Sequence, residues 1–326
     1  VKARLAATAA LALTLAGCGA GSHSVTDPAP DTVAYPVVAV GQARSVLDAV
    51  QGSLVRGVTA RQTAATVDAR LVGPFRDLEL AQARIAAEQK RAVAKPASLQ
   101  GLRLIVPTGL GWPRFFIAVG NTAEASTPVL RVLSSATPRA PYGLWAEAAM
   151  LPGATLPETA SESTGSPTVA ADAGGLVATP KEVLSGFAGY LNAGAKTTSS
   201  RQYERSIYSD QLLQQLAADR KGLKAVATVS SRHVVTGDPL AVRTTDGGAL
   251  VLGELQQTYV ITIKKGQGKV AVTDKDLAAL AGGTKQIKKS LTRTAVEVVV
   301  FHVPPRGKGL ITVIAAQKGD VKAVIK

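Results

Sequence analysis

Few residues in this chain could do chemistry of their own. Among 326 residues there is a single cysteine, Cys18, and three histidines, His23, His233 and His302. One cysteine builds neither a disulfide framework nor a thiolate metal cluster, and three scattered histidines leave little for a metal site. No cofactor and no metal are expected. A hydrolytic serine would call for Gly-x-Ser-x-Gly or Ser-x-x-Lys. Ser53 is followed three positions on by Arg56, and Ser290 by Arg293, so neither pattern occurs. Gly282-Gly283-Thr284-Lys285 lacks the residue order of a phosphate loop and reads as a turn. His233 and His302 lie in strand-like runs, and either would be a general base only with an orienting acid and a nucleophile within about 3 Å. The plainer reading pairs each with a sheet neighbour. Glu254 and Glu297 stand inside strand patterns, where a solvated sheet face, or a pairing with Arg293, would accommodate them. Trp112, Phe115 and Phe116 are the densest aromatic group, suited to core packing or to stacking on a ligand. No catalytic residue is assigned.

The amino end carries the most specific signal. Lys2 and Arg4 precede an uncharged Ala/Leu run from Leu5 to Ala16. The run is too short to span a bilayer of about 30 Å, which takes about 20 helical residues, so it reads as a secretory signal over residues 1–17. It ends in Leu15-Ala16-Gly17-Cys18, which resembles the lipobox of bacterial lipoproteins. That resemblance implies recognition of Leu15, Ala16 and Gly17 by the signal peptidase and cleavage before Cys18. It also implies a diacylglycerol thioether on Cys18, with acylation, such as palmitate, on the new amino group. Residues 18–38 (Cys18, then a stretch of Gly, Ser, Pro and Asp) read as a tether, and His23 within it as solvated.

Behind the tether the chain repeats a layout. Apolar residues at Ala43, Val46, Leu47, Val50 and Leu54 mark a helix over 41–56; further helices are expected over 59–72 and 74–91. Short alternating runs follow at 102–106, 114–119, 128–136 and 144–151, separated by Gly, Pro and Asn as in antiparallel strands. After a Pro/Gly/Ser/Thr-rich stretch, Thr179 and Glu182 make a capping box with Pro180 at the first helical position. Ser209 is the expected cap of a next helix. Strands are expected at 223–235, 240–245, 249–264, 292–303 and 309–316, with a short helix from Thr273. Asp246-Gly247-Gly248 and Pro304-Pro305-Arg306-Gly307 are the expected turns. Helices followed by strands, twice, argue an α+β fold rather than a wound parallel sheet. The expected organisation is two tandem domains, 39–158 and 178–326, joined by a linker at 159–177. Each resembles the cystatin-like or nuclear-transport-factor-two-like cone, in which a curved antiparallel sheet wraps a helix.

One stretch carries a family likeness. Ser134-x-x-x-Pro138-Arg139-x-Pro141-Tyr142 and the later Leu151-Pro152-Gly153-Ala154, within residues 129–157, resemble the middle of a family of actinobacterial lipoproteins of unknown function. The resemblance implies an envelope location and assigns no activity. Pro138 and Pro141 read as shaping a turn, and Tyr142 and Trp145 as packing where the strand resumes.

The charge is uneven. Residues 264–326 hold 13 basic and 4 acidic side chains, while 161–263 hold 9 of each. A local lysine excess attracts anions, and Lys285, Lys288 and Lys289 are the candidates for anion binding. An exported protein meets little nucleic acid, so anionic lipid or wall polymer is the expected counterpart, beside an envelope protein partner. Together these features point to a lipid-anchored, extracytoplasmic protein of the cell membrane with a non-catalytic binding or scaffolding role. The alternatives are a cell-wall hydrolase or transferase built on a histidine, and an electrostatic docking module.

Overall fold

The computed structural model describes residues 34–59, 67–93, 97–123, 125–194 and 197–326. The signal segment, the lipobox with Cys18, and His23 lie outside them. Helix α1 (Val40–Thr59) and α2 (Gly73–Glu88) precede β1 (Gln100–Ile105), β2 (Pro107–Thr108), β3 (Arg114–Thr122), β4 (Ala125–Ser135), β5 (Gly143–Met150) and β6 (Ser166–Pro167). Then come α3 (Pro180–Ala193), a short 3-10 turn, α4 (Ile207–Leu223), β7 (Ala227–Val235), β8 (Leu240–Arg243) and β9 (Ala249–Ile263). The chain ends with β10 (Val270–Ala271), α5 (Lys275–Leu280), β11 (Gln286–Ile287), β12 (Ser290–Val303) and β13 (Thr312–Ile325). The α+β class holds.

Nine strands form one antiparallel sheet in the order β1-β3-β4-β5-β13-β12-β9-β7, with β8 also on β9. The join between the halves is small: Ala315 pairs with Met150 and Ala316 with Ala149. Bulges at Gln100/Arg103, Val132/Leu133 and Val300/Phe301 add local twist. The curved sheet folds its two halves face to face. Phe115, Ile117, Leu130 and Val132 from one half share a cluster with Leu250, Leu252, Val298 and Val300 from the other. On the outer faces, α1 and α2 cover Phe116, Leu133 and Leu144, while α3 lays Val183, Leu184, Phe187 and Leu191 on Val251, Leu255, Val299 and Phe301. Gly253 lets α3 come this close: a Cβ there would lie 2.2 Å from Leu184 Cδ1.

Two expectations change here. Residues 34–326 form one compact unit rather than tandem domains. The segment at 159–177 is a strap that bonds to both halves: Ser166 N donates to Val106 O, Thr168 N to Thr108 O, and Val169 N to Ala241 O. The two expected cones are accordingly one shared sheet. Locally, Val67–Val72, the described end of the helix expected over 59–72, is turn and bridge. The cap of α4 is Ser206, whose side chain accepts from Ser209 N; Ser209 itself is buried. Thr179 and Glu182 do form the capping box of α3.

Candidate functional site

A cleft of about 930 Å³ opens between the two halves, inside the range of roughly 300–1,000 Å³ usual for small-molecule sites. One wall is the loop before β3 together with the first residue of that strand. It carries Trp112, 36% exposed, and Arg114, whose guanidinium carbon lies 4.8 Å from the Trp112 ring centroid. Trp145 of β5 and Pro141 continue this wall. Phe115 and Phe116, by contrast, are core residues. Arg114 Nε is buried and has no hydrogen-bond partner among the described residues. The Trp112–Arg114 pair also borders a smaller pocket of about 420 Å³.

The opposite wall comes from an interruption. β7 and β8 pair with successive parts of β9, and Thr236-Gly237-Asp238-Pro239 bulges out between them. Gly237 takes φ +85, and Pro239 offers no N–H to the ladder, so the edge strand breaks there. The excursion is pinned by Thr236 N donating to Glu254 O, 3.0 Å. Asp238 of this excursion and Glu254 of β9 both line the cleft. Burial pushes the Glu254 carboxyl above its usual range; the Thr236 hydroxyl acts the other way, and Asp77 adds to the rise. One wall therefore offers a cation on an aromatic face, the other two carboxyl groups.

The histidines lie elsewhere. His302 Nε2 is 3.0 Å from Asp246 Oδ2, and the Thr244 hydroxyl donates to Asp246 Oδ1. The acid thus sits between hydroxyl and imidazole, whereas activation of a nucleophile needs the imidazole between the other two. The pair fastens the β8–β9 turn, since Gly248 N also donates to Asp246 Oδ1.

His233 is buried on the α3 side of the sheet beside Glu297, which is fully buried rather than solvated. Their Nε2 and Oε1 atoms are 3.3 Å apart, and Lys318 Nζ is 3.1 Å from the same oxygen. Tyr208 donates to Glu297 Oε2, and Lys318 to Gln257 Oε1. Asn192 of α3 accepts from His233 N at 2.6 Å and donates to His233 O. Arg293, the partner expected for Glu297, pairs with Asp320 instead. With His233 and Glu297 shut from solvent, this cluster holds α3 and α4 on the sheet.

Lys285, Lys288 and Lys289 are exposed around β11, away from the cleft. Arg114 and Asp238 belong to no motif of the sequence, and Lys318 stands there only as one member of the C-terminal lysine excess. Gly237-Asp238-Pro239 inside an apolar run was the readable sign of the cleft, and Glu297 inside Val296–Phe301 that of the buried cluster. Among the described residues no helix is long and apolar enough to cross a membrane.

No solved structure matches the chain. It is 30% identical to an uncharacterized lipoprotein of Streptomyces coelicolor over 237 residues, 69% of this chain and 68% of that one. It is 26% identical to an uncharacterized lipoprotein of Streptomyces avermitilis over 248 residues, 74% and 71% of the two chains. Residues 35–324, nearly the whole of the folded unit, match one family, and the chain belongs to it: Domain of unknown function (DUF8094).

Proposed function

We propose that this chain is an exported lipoprotein, held on the outer face of the cytoplasmic membrane through a lipidated Cys18. Its folded part is then a non-catalytic binding module whose ligand sits in the cleft between the halves. The lipobox and the names of its relatives support the anchor. The cleft carries the binding reading through one observation: both tryptophans of the chain, Trp112 and Trp145, line it. A ligand with a flat or apolar body and an anionic group suits Trp112, Trp145 and the unmatched Arg114 Nε.

The anchor predicts that Cys18→Ala abolishes incorporation of radiolabelled palmitate and moves the protein out of the membrane fraction. Unchanged labelling and fractionation would show that Cys18 is not the lipidated residue.

Because no tryptophan lies outside the cleft, intrinsic emission reports on it directly. The probe is 1-anilinonaphthalene-8-sulfonate, an aromatic body with one anionic group. It is expected to bind saturably and to quench tryptophan emission by energy transfer. Arg114→Gln removes a charge-assisted partner, which corresponds to about tenfold weaker binding. Titrations that never saturate, or an affinity indifferent to Arg114→Gln and Trp112→Ala, would defeat the binding reading.

A further inference from the structure

The cleft leaves the strongest charge on the molecule unexplained. We infer that the lysine-rich end of the sheet is a docking surface for anionic phospholipid, holding head-group phosphates with side chains gathered from separate segments. The inference does not depend on what the cleft binds.

The gathering is done by backbone hydrogen bonds. Lys264, where the chain leaves β9, donates its N–H to Val226 O and its ammonium to Lys224 O just past α4. Ile263 N donates to Lys289 O, while Lys288 N and Lys289 N both donate to Lys326 O. Val272 N donates to Lys285 O. Segments near residues 224, 264, 288 and 326 are thereby locked together at one edge of the sheet. The lysines at 224, 264, 285, 288, 289 and 326 are all exposed.

Their charges are uncompensated. Ion pairs elsewhere engage Arg44, Arg56, Arg103, Arg131, Arg205 and Arg293. Among the described residues, the one lysine in an ion pair is Lys318. Two acids of the neighbouring α5 region keep their charge but are directed to other groups, Asp274 to two amides at the start of α5 and Asp276 to Gln89, and neither pairs with these lysines. A patch of like charges repels a second copy of itself, so its partner must be anionic.

A membrane fits better than a polymer strand. The cleft and the smaller pocket are both lined by other residues, so the lysine edge stands apart from them. The lysines lie across the ends of neighbouring strands about 4.8 Å apart, a spread suited to many phosphates in a plane. Beside them the sheet face opposite α4 is open: Thr228 and Thr262 are exposed, and Val324 is 39% exposed. If the chain is tethered at Cys18, a high local concentration makes weak docking effective.

The test uses the full chain carrying Cys18→Ser, so that no acyl group assists, and sedimentation with vesicles. Binding is expected to vesicles of phosphatidylcholine with one part in three phosphatidylglycerol, to weaken with salt, and to be absent with phosphatidylcholine alone. Each lysine corresponds to about a fivefold change in partitioning at low salt. Replacing Lys285, Lys288 and Lys289 together by Gln should therefore weaken binding on the order of 100-fold. Replacing the same three by Arg should retain binding. A control triple of Arg139→Gln, Lys181→Gln and Lys308→Gln removes as much charge from other exposed positions and should change binding less than about twofold. The inference falls if binding ignores phosphatidylglycerol, or if both Gln triples weaken it equally. It also falls if the chain binds soluble poly(glycerol phosphate) but not the vesicles, which would assign the patch to wall polymer.

Discussion

Glu297→Leu is expected to destabilise the folded chain by about 3–5 kcal/mol, read as a lower urea midpoint at unchanged slope. The carboxylate is fully buried, with Lys318 Nζ 3.1 Å and His233 Nε2 3.3 Å from Oε1. Removing it takes the counter-charge from the Lys318 ammonium, and it also strips Tyr208 of its acceptor. The cost comes from orphaned partners rather than from the carboxylate's own attraction. Glu297→Leu combined with Lys318→Met should accordingly recover much of the loss, since well-packed apolar replacements of buried ion pairs are often neutral. If the double variant is no more stable than the single one, the cluster is not the source of the effect.

The same residue has a pH signature. Burial alone would raise the Glu297 carboxyl, but the His233 ring and the Lys318 ammonium outweigh it and hold it below its usual range. A depressed carboxyl binds fewer protons folded than unfolded. Its contribution is therefore complete above the unfolded value, near 4.5, and is lost as pH falls through the lower folded value. The stability gap between wild type and Glu297→Gln should be constant near neutrality and shrink in acid below about pH 4.

This cluster also shows why the sequence yielded elements more readily than their assembly. The capping box at Thr179 and Glu182 is local, so its residue types suffice to place α3. The last strand is expected over 309–316, short of Lys318, Asp320 and Lys322. It runs on to Ile325 because Lys318 meets Glu297 and Asp320 meets Arg293, partners supplied by β12 across the ladder. Glu254 and Glu297 looked alike in sequence. Register separates them, because Glu254 pairs with Val298 and so faces away from Glu297, towards the cleft. Within the sheet the halves meet at two residue pairs between β5 and β13, and no local pattern announces so brief a join. Ala140, Pro141 and Trp145, within the stretch that carries the lipoprotein resemblance, proved to line the cleft as well as to shape a turn.

Gly73→Ala should couple stability to the cleft, because one glycine sets the position of Trp145. Residues 70–73 are pinned along the start of β5 by Val72 N donating to Leu144 O and Leu144 N donating to Arg70 O. The chain must then turn sharply into α2, and Gly73 does so at φ +54. A Cβ there would meet Trp145 Cδ1 at 2.5 Å and Nε1 at 2.6 Å. The left-handed backbone and the overlap together correspond to about 2–4 kcal/mol of destabilisation. Relief by moving the indole would carry Trp145 out of the wall. Tryptophan emission should shift in the folded protein, and 1-anilinonaphthalene-8-sulfonate should bind several-fold more weakly. Gly41→Ala is the matched comparison: it lies in α1 with open space around its Cβ position, so it should be neutral or slightly stabilising and leave emission unchanged. If Gly73→Ala lowers stability but leaves emission and dye binding as they were, Trp145 keeps its place and the strain is taken up by α2. If all three change together, the turn that starts α2 and the wall of the cleft are one structural device.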